Sequence, residues 1–180
     1  MKILILAQTR SGSTSLATAI KDATGLTLLS EPFNPNDQAN DDYHRNLIVN
    51  SSDLIVKIVD SRFASYVEFN NYIDLIKHFD IVIGLTRQDS KENAKSHLIA
   101  TVTGDWVNGR KTHSIDEELF KKEPYCSQLN DTITQSENNK NLILSYDIFQ
   151  TTYEGLFISK TEIDALENYC GFDIKKFLLK

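Results

Sequence analysis

The chain has 180 residues, 41% of them apolar and 24% charged, with a net charge of −6. These values suit one globular domain over residues 1–180 with length enough for a real core, and disorder is not expected. The acidic balance argues against broad binding to nucleic acid or to anionic membranes, so any anion site has to be local.

Met1 to Ala7 gives way to polar residues too soon for a secretory signal, and no apolar run approaches the roughly twenty residues of a membrane span. A soluble, cytoplasmic protein is expected. Cys126 and Cys170 form neither a disulfide framework nor a zinc pattern.

Ile3–Ala7 reads as a short buried parallel strand, after which the apolar spacing turns helical at Leu16, Ala19, Ile20 and Ala23. Between them lies Gln8-Thr9-Arg10-Ser11-Gly12-Ser13-Thr14-Ser15. Small residues let the backbone curl, so that the free N–H groups and the positive end of the helix dipole face whatever sits in the curl. That is an anion site, best suited to phosphate. Arg10 adds a permanent charge with paired donors, and Ser11, Ser13, Thr14 and Ser15 add hydroxyls. The stretch is not a Walker A loop, because the leading glycine is missing and no lysine precedes the Ser/Thr.

Gly25 follows as a helix stop, and Leu26–Leu29 read as a second strand. Glu31 emerges at its carboxyl end, the edge where open α/β sheets bind ligands. From Asn36 to Asp53 the chain is polar, a surface excursion with a short helix near Tyr43–Val49 that flanks an acceptor pocket. Leu54–Val59 form a third strand interrupted by Lys57, which either snorkels at the strand end or faces the cleft. Tyr66–Phe79 carry helical spacing, and Ile81–Leu85 are a fourth strand. Alternating β and α segments predict a parallel sheet with helices on both faces.

Arg87 ends that strand, Asp89 or Ser90 caps the next helix, and Asn93 and Ser96 share one helical face. Arg87 and Ser96 are therefore placed to hold a second phosphate. Ser114–Asn139 reads as one or two helices covering the cleft, and Asn141–Ser145 as a late strand followed by Tyr146. Lys160–Cys170 is an amphipathic helix ending at Gly171.

The loop resembles the 5′-phosphosulfate loop of sulfotransferases that use 3′-phosphoadenosine-5′-phosphosulfate (PAPS), written P-[RK]-[SG]-[GS]-[ST]-[ST]-x-L. Arg10, Ser11, Gly12, Ser13, Thr14 and Leu16 match, while Gln8-Thr9 departs from the usual proline. The second stretch resembles the 3′-phosphate motif of the same superfamily, most closely that of the bacterial trehalose sulfotransferase branch, R-x-D-x-x-x-Q-A-x-S followed by T-G-x-W. It is met by Arg87, Asp89, Ala94, Ser96, Thr103, Gly104 and Trp106, with Asn93 in place of the glutamine. Two such motifs in the right order are far more specific than either alone.

The resemblance implies a three-layer, P-loop-like α/β fold with a central, mainly parallel sheet and helices on both faces. It implies PAPS as sulfuryl donor, 3′-phosphoadenosine 5′-phosphate (PAP) as product, no metal, and a small acceptor, a carbohydrate for preference. Glu31 is the expected general base with His44 as the alternative, and Arg10 meets the charge on the leaving phosphate. Ser145-Tyr146-Asp147 resembles the Y-E-D or Y-E-x-L element that follows a late strand, where the tyrosine lies near the adenine. Arg110 and Lys111 resemble a basic pair laid over the 3′-phosphate, although in the family that pair lies near the C-terminus. The competing readings are a PAP/PAPS-binding module without turnover and a P-loop kinase with a degenerate loop, for which Asp60 is the nearest metal-binding acid.

Overall fold

The computed structural model describes residues 1–32, 41–59, 76–104 and 120–178. Five strands, β1 (Lys2–Ala7), β2 (Thr27–Ser30), β3 (Leu54–Val59), β4 (Ile81–Thr86) and β5 (Phe149–Thr152), make one sheet in the order β2-β3-β1-β4-β5. Every pairing is parallel, with Ile5 of the central strand registered between Lys57 and Ile83. The helices are α1 (Ser13–Thr24), α2 (Asp41–Asn50), α3 (Ser90–Thr103), α4 (Tyr125–Leu144), α5 (Ile163–Cys170) and α6 (Lys175–Leu178), with a π-helical turn at Glu154–Ile158 after β5.

Both faces of β1 are covered, which is why it reads as an unbroken apolar run. Ile3, Ile5 and Ala7 pack with Leu16, Ala17 and Ile20 of α1 and with Ile163 and Leu166 of α5. Leu4 and Leu6 point the other way, into a cluster with Ile48 of α2, Val56 and Val82. At about 1.5–3 kcal/mol for each buried aliphatic side chain, these two layers dominate the folding energy. A third cluster, Ala94, Leu98, Phe120 and Leu129, joins α3 to α4.

This topology sets the place of the site. The chain leaves β1 toward β2 and β3 on one side, then crosses to β4 on the other, so the switch point at which open α/β sheets bind ligands lies at the carboxyl ends of β1 and β4. The loop at Gln8–Gly12 and the turn at Arg87–Asp89 both lie there.

Most expected elements are found within a residue or two, including the Gly25 and Gly171 stops, both left-handed at φ 73° and 78°. The late strand expected over Asn141–Ser145 is not one. Those residues end the 20-residue helix α4, whose Leu129, Ser136 and Ile143 recur every two turns on its buried side. The fifth strand lies further on, at Phe149–Thr152. Most of the helix expected over Tyr66–Phe79, together with Asp60, Trp106, Arg110 and Lys111, falls outside the described residues.

Candidate active site

The loop after β1 is bent by two left-handed residues, Arg10 at φ 61° and Gly12 at φ 80°. A non-glycine residue held there costs roughly 1–2 kcal/mol and usually marks a functional constraint. Among the described residues only Arg10, Glu31 and Lys160 share this property. Two of those three are residues that the sequence singles out as chemical.

Helix α1 starts from Gly12 with no side-chain cap, whereas α3 is capped by Asp89, whose Oδ1 accepts from the N–H of Lys91 at 2.9 Å and of Glu92 at 3.0 Å. Ser11 is fully buried, and its Oγ has no hydrogen-bond partner among the described residues. An uncapped helix start beside an unsatisfied buried hydroxyl is a polar environment suited to an anion.

The two motifs meet directly. Arg10 Nε donates to Ser96 Oγ on α3 at 3.1 Å. Beneath that contact runs a buried polar network. Gln8 Oε1 accepts the Arg87 N–H at 2.8 Å, and Gln8 Nε2 donates to Ser136 O at 2.8 Å and Ser136 Oγ at 2.7 Å. Ser136 Oγ donates to Asn93 Oδ1 at 3.0 Å, and Asn93 Nδ2 donates to Thr9 O at 2.7 Å. Thr9, where the first motif has proline, and Asn93, where the second has glutamine, are thus in direct contact, and Gln8 joins them through Ser136. The Gln8 side chain ties the end of β4 to the loop through the Arg87 N–H.

Lys57 faces the cleft. Its register beside Ile5 turns it toward α1, and it is 3% exposed. Its Nζ lies 2.8 Å from Glu31 Oε1 and donates to Thr14 Oγ1 at 3.1 Å. Glu31 is carried there because its N–H continues the β2–β3 ladder to Lys57 O at 2.8 Å. Base candidate, cation and the first turn of α1 therefore form one cluster. His44, the alternative base, stands half-buried on α2 beside Tyr43, with ring centroids 5.6 Å apart.

Arg87 sits at the far side of the loop. Its guanidinium lies 4.4 Å over the Tyr153 ring, and its Nε is 3.5 Å from Glu154 Oε1. Tyr153 also packs against the loop after β1, since a Cβ added at Gly12 would come within 3.0 Å of its Cδ2 and 2.8 Å of Phe157 Cε2. Gly12→Ala is accordingly expected to lose about 2–4 kcal/mol, the left-handed backbone and the overpacked rings adding together. Urea unfolding measures this, and a loss below 0.5 kcal/mol, roughly the scale of a neutral surface change, contradicts it.

Tyr146 is not brought to this site. It precedes β5 and packs with Ile148 against the cluster that holds Leu4 and Val82. The letters Y-E-x-L actually occur at Tyr153-Glu154-Gly155-Leu156, directly after β5. The expected element lies seven residues upstream of it, because β5 runs over Phe149–Thr152 and not over Asn141–Ser145. The literal match was the signal that could have found it.

His97 follows Ser96, and burial, with the Arg10 charge adding to it, holds its imidazole below the ordinary value of 6.5. A depressed native value means that the unfolded chain takes the proton first. The contribution to stability is therefore full above the unfolded value and lost as pH falls through the native one. Melting temperature should drop as pH falls below the ordinary imidazole value of 6.5, and His97→Gln should flatten that drop. Equal slopes in the two proteins would contradict the assignment.

Among the described residues no group of three His, Cys, Asp or Glu could hold a metal, and no helix is long and apolar enough to cross a membrane. No protein-family model matches the chain, and no curated protein matches it in sequence. Solved structures do. Mouse sulfotransferase SULT7A1 complexed with PAP aligns with a TM-score of 0.54 and 12% identity over 98% of this chain and 64% of its own. Shikimate kinase from Aquifex aeolicus aligns with a TM-score of 0.50 and 10% identity over 95% of this chain and 99% of its own. A deoxyadenosine kinase from M. mycoides with bound dATP gives 0.45 and 20% identity. The class is thus the α/β, P-loop-like fold seen in kinases and sulfotransferases. At these identities the likeness speaks to fold alone, and this chain spans about two-thirds of the sulfotransferase's length.

Proposed function

We propose that this chain is a PAPS-dependent sulfotransferase acting on a hydroxyl of a carbohydrate or another small acceptor. The observation that carries the reading is the 3.1 Å contact between Arg10 and Ser96, which joins the two phosphate motifs across one crevice. A donor with phosphates on both sides of its ribose needs two such sites. The residues fit it, with the uncapped α1 start, Ser11, Ser13, Thr14 and Ser15 at the 5′ end, and Arg87 with Ser96 at the 3′ end.

A second observation bears on the choice of donor. In a Walker A loop the Ser/Thr of the first helical turn binds Mg²⁺, and a lysine stands just before it. Here Ser13 takes the lysine's place, and the corresponding hydroxyl, Thr14 Oγ1, accepts from the buried ammonium of Lys57. A protein cation already stands where a kinase recruits its metal, which favours sulfuryl over phosphoryl transfer.

PAPS would supply the sulfuryl group, its sulfur bonding to the acceptor oxygen as the bond to the 5′-phosphate oxygen breaks and leaves its electron pair there. Glu31 takes the acceptor's hydroxyl proton. Arg10, the N–H groups at the start of α1 and Lys57 meet the charge on the departing oxygen.

The test is transfer of labelled sulfate from PAPS to a panel of sugars and small alcohols, with Glu31→Gln as control. Wild-type transfer abolished in the variant supports the reading. Tight PAP binding with no transfer to any acceptor would instead indicate a nucleotide-binding module. Fold likeness to a shikimate kinase makes phosphoryl transfer the other reading. It predicts a melting temperature raised by ATP with Mg²⁺ and not by PAP.

A further inference from the structure

Arg87 is held in an unusual way for a residue meant to receive an anion. Its side chain is only 16% exposed, its Nε edge lies against Glu154 Oε1 at 3.5 Å, and one face lies on Tyr153. Glu154 cannot swing away freely, because its other oxygen accepts the Gln88 N–H at 2.9 Å. Tyr153 is wedged too, 5.2 Å from the Phe157 ring and against Gly12. The guanidinium thus has an ion-pair contact along one edge, without a hydrogen bond at Nε among the described residues, and an aromatic ring against one face. Its terminal Nη pair makes no hydrogen bond among the described residues and is the edge left to offer. That pair has the fork spacing that grips a phosphate through two parallel bonds.

We infer that Glu154 and Tyr153 are positioning residues that fix Arg87 with its Nη pair turned to a nucleotide's 3′-phosphate, and so set selectivity for the 3′-phosphorylated donor. The inference rests on the sulfotransferase reading. Glu154 does not touch the nucleotide and acts through Arg87 alone. From the Nη pair held in that direction a neutral ribose hydroxyl gains little, while a phosphate dianion gains two charge-assisted bonds.

Calorimetric titration with PAP and with adenosine 5′-phosphate, which lacks the 3′-phosphate, separates this role from a structural one. Glu154→Gln, which keeps an acceptor for the Gln88 N–H, is expected to weaken PAP about tenfold, the scale of one charge-assisted contact, and to leave adenosine 5′-phosphate within about twofold. In an Arg87→Ala background the same change should have no further effect on PAP. Should the glutamine variant not fold, Glu154→Asp keeps the charge, shortens the reach and is expected to give the same contrast. Equal weakening of both nucleotides, or PAP binding unchanged or tightened, overturns the inference while leaving the sulfotransferase reading intact. Failure of the wild-type protein to bind PAP overturns both.

Discussion

Lys57→Met is expected to lower sulfuryl transfer about 10²–10³-fold, the usual cost of removing one preorganised donor from a developing negative charge, while leaving stability nearly unchanged. The two effects separate because of where the partners sit. Lys57 is 3% exposed, whereas the Glu31 side chain is 26% exposed. Methionine fills nearly the same volume among apolar neighbours, and the carboxylate left behind can still be hydrated. Glu31→Gln reverses the pattern, because it leaves a buried ammonium without its counter-charge. That should cost about 3 kcal/mol in stability in addition to the loss of the base. Turnover and melting temperature of the two variants give the comparison directly. A Lys57→Met protein with wild-type turnover would remove Lys57 from the chemistry.

Gln8→Leu should be among the most damaging single changes to the structure of the site. Leucine fits the space, but the Arg87 N–H loses its partner, and Ser136 O and Ser136 Oγ each lose one of two. One unsatisfied N–H costs about 1–3 kcal/mol and each ordinary lost bond about 0.5–1.5 kcal/mol, so a loss of about 2–4 kcal/mol is expected, since Ser136 keeps its bond to Asn93 and its carbonyl its place in α4. Because the same side chain ties the end of β4 to the loop, PAP affinity should fall at least about tenfold in protein that still folds. Ser136→Ala, which keeps its carbonyl as an acceptor for Gln8, should lose only about 1–2 kcal/mol. Urea unfolding with parallel titrations reads both, and equal losses for the two variants would show that Gln8 is not the hub.

The parts of the fold legible in the sequence were those whose pattern is set locally. Buried on both faces, β1, β3 and β4 are continuous apolar runs, and Asp89 announces α3 by its capping chemistry. The C-terminal third misled for an equally physical reason. Leu142-Ile143-Leu144 looks like a strand, but only Ile143 is buried, on the side of α4 that recurs every two turns. The true strand, Phe149-Gln150-Thr151-Thr152, has too few apolar residues to stand out, and its polar side chains are spent on partners such as Glu162, which accepts from Thr151 Oγ1 at 2.7 Å. The orientation of Lys57 depends on strand register, and the partnership of Gln8 with Ser136 spans 128 residues. Neither is a local property. The loop, Arg87 and Ser96 were visible because each follows a strand whose position the apolar pattern already fixes.

The most direct measurement is calorimetric titration of the wild-type protein with PAP in the presence of a chelator, set beside the same titration with ATP and Mg²⁺. A crevice built from Arg10, Ser96 and Arg87, with Lys57 standing in for a metal, predicts saturable PAP binding that the chelator leaves unchanged and that Arg87→Ala weakens at least about tenfold. Heat from ATP only when Mg²⁺ is present, with none from PAP, would contradict it.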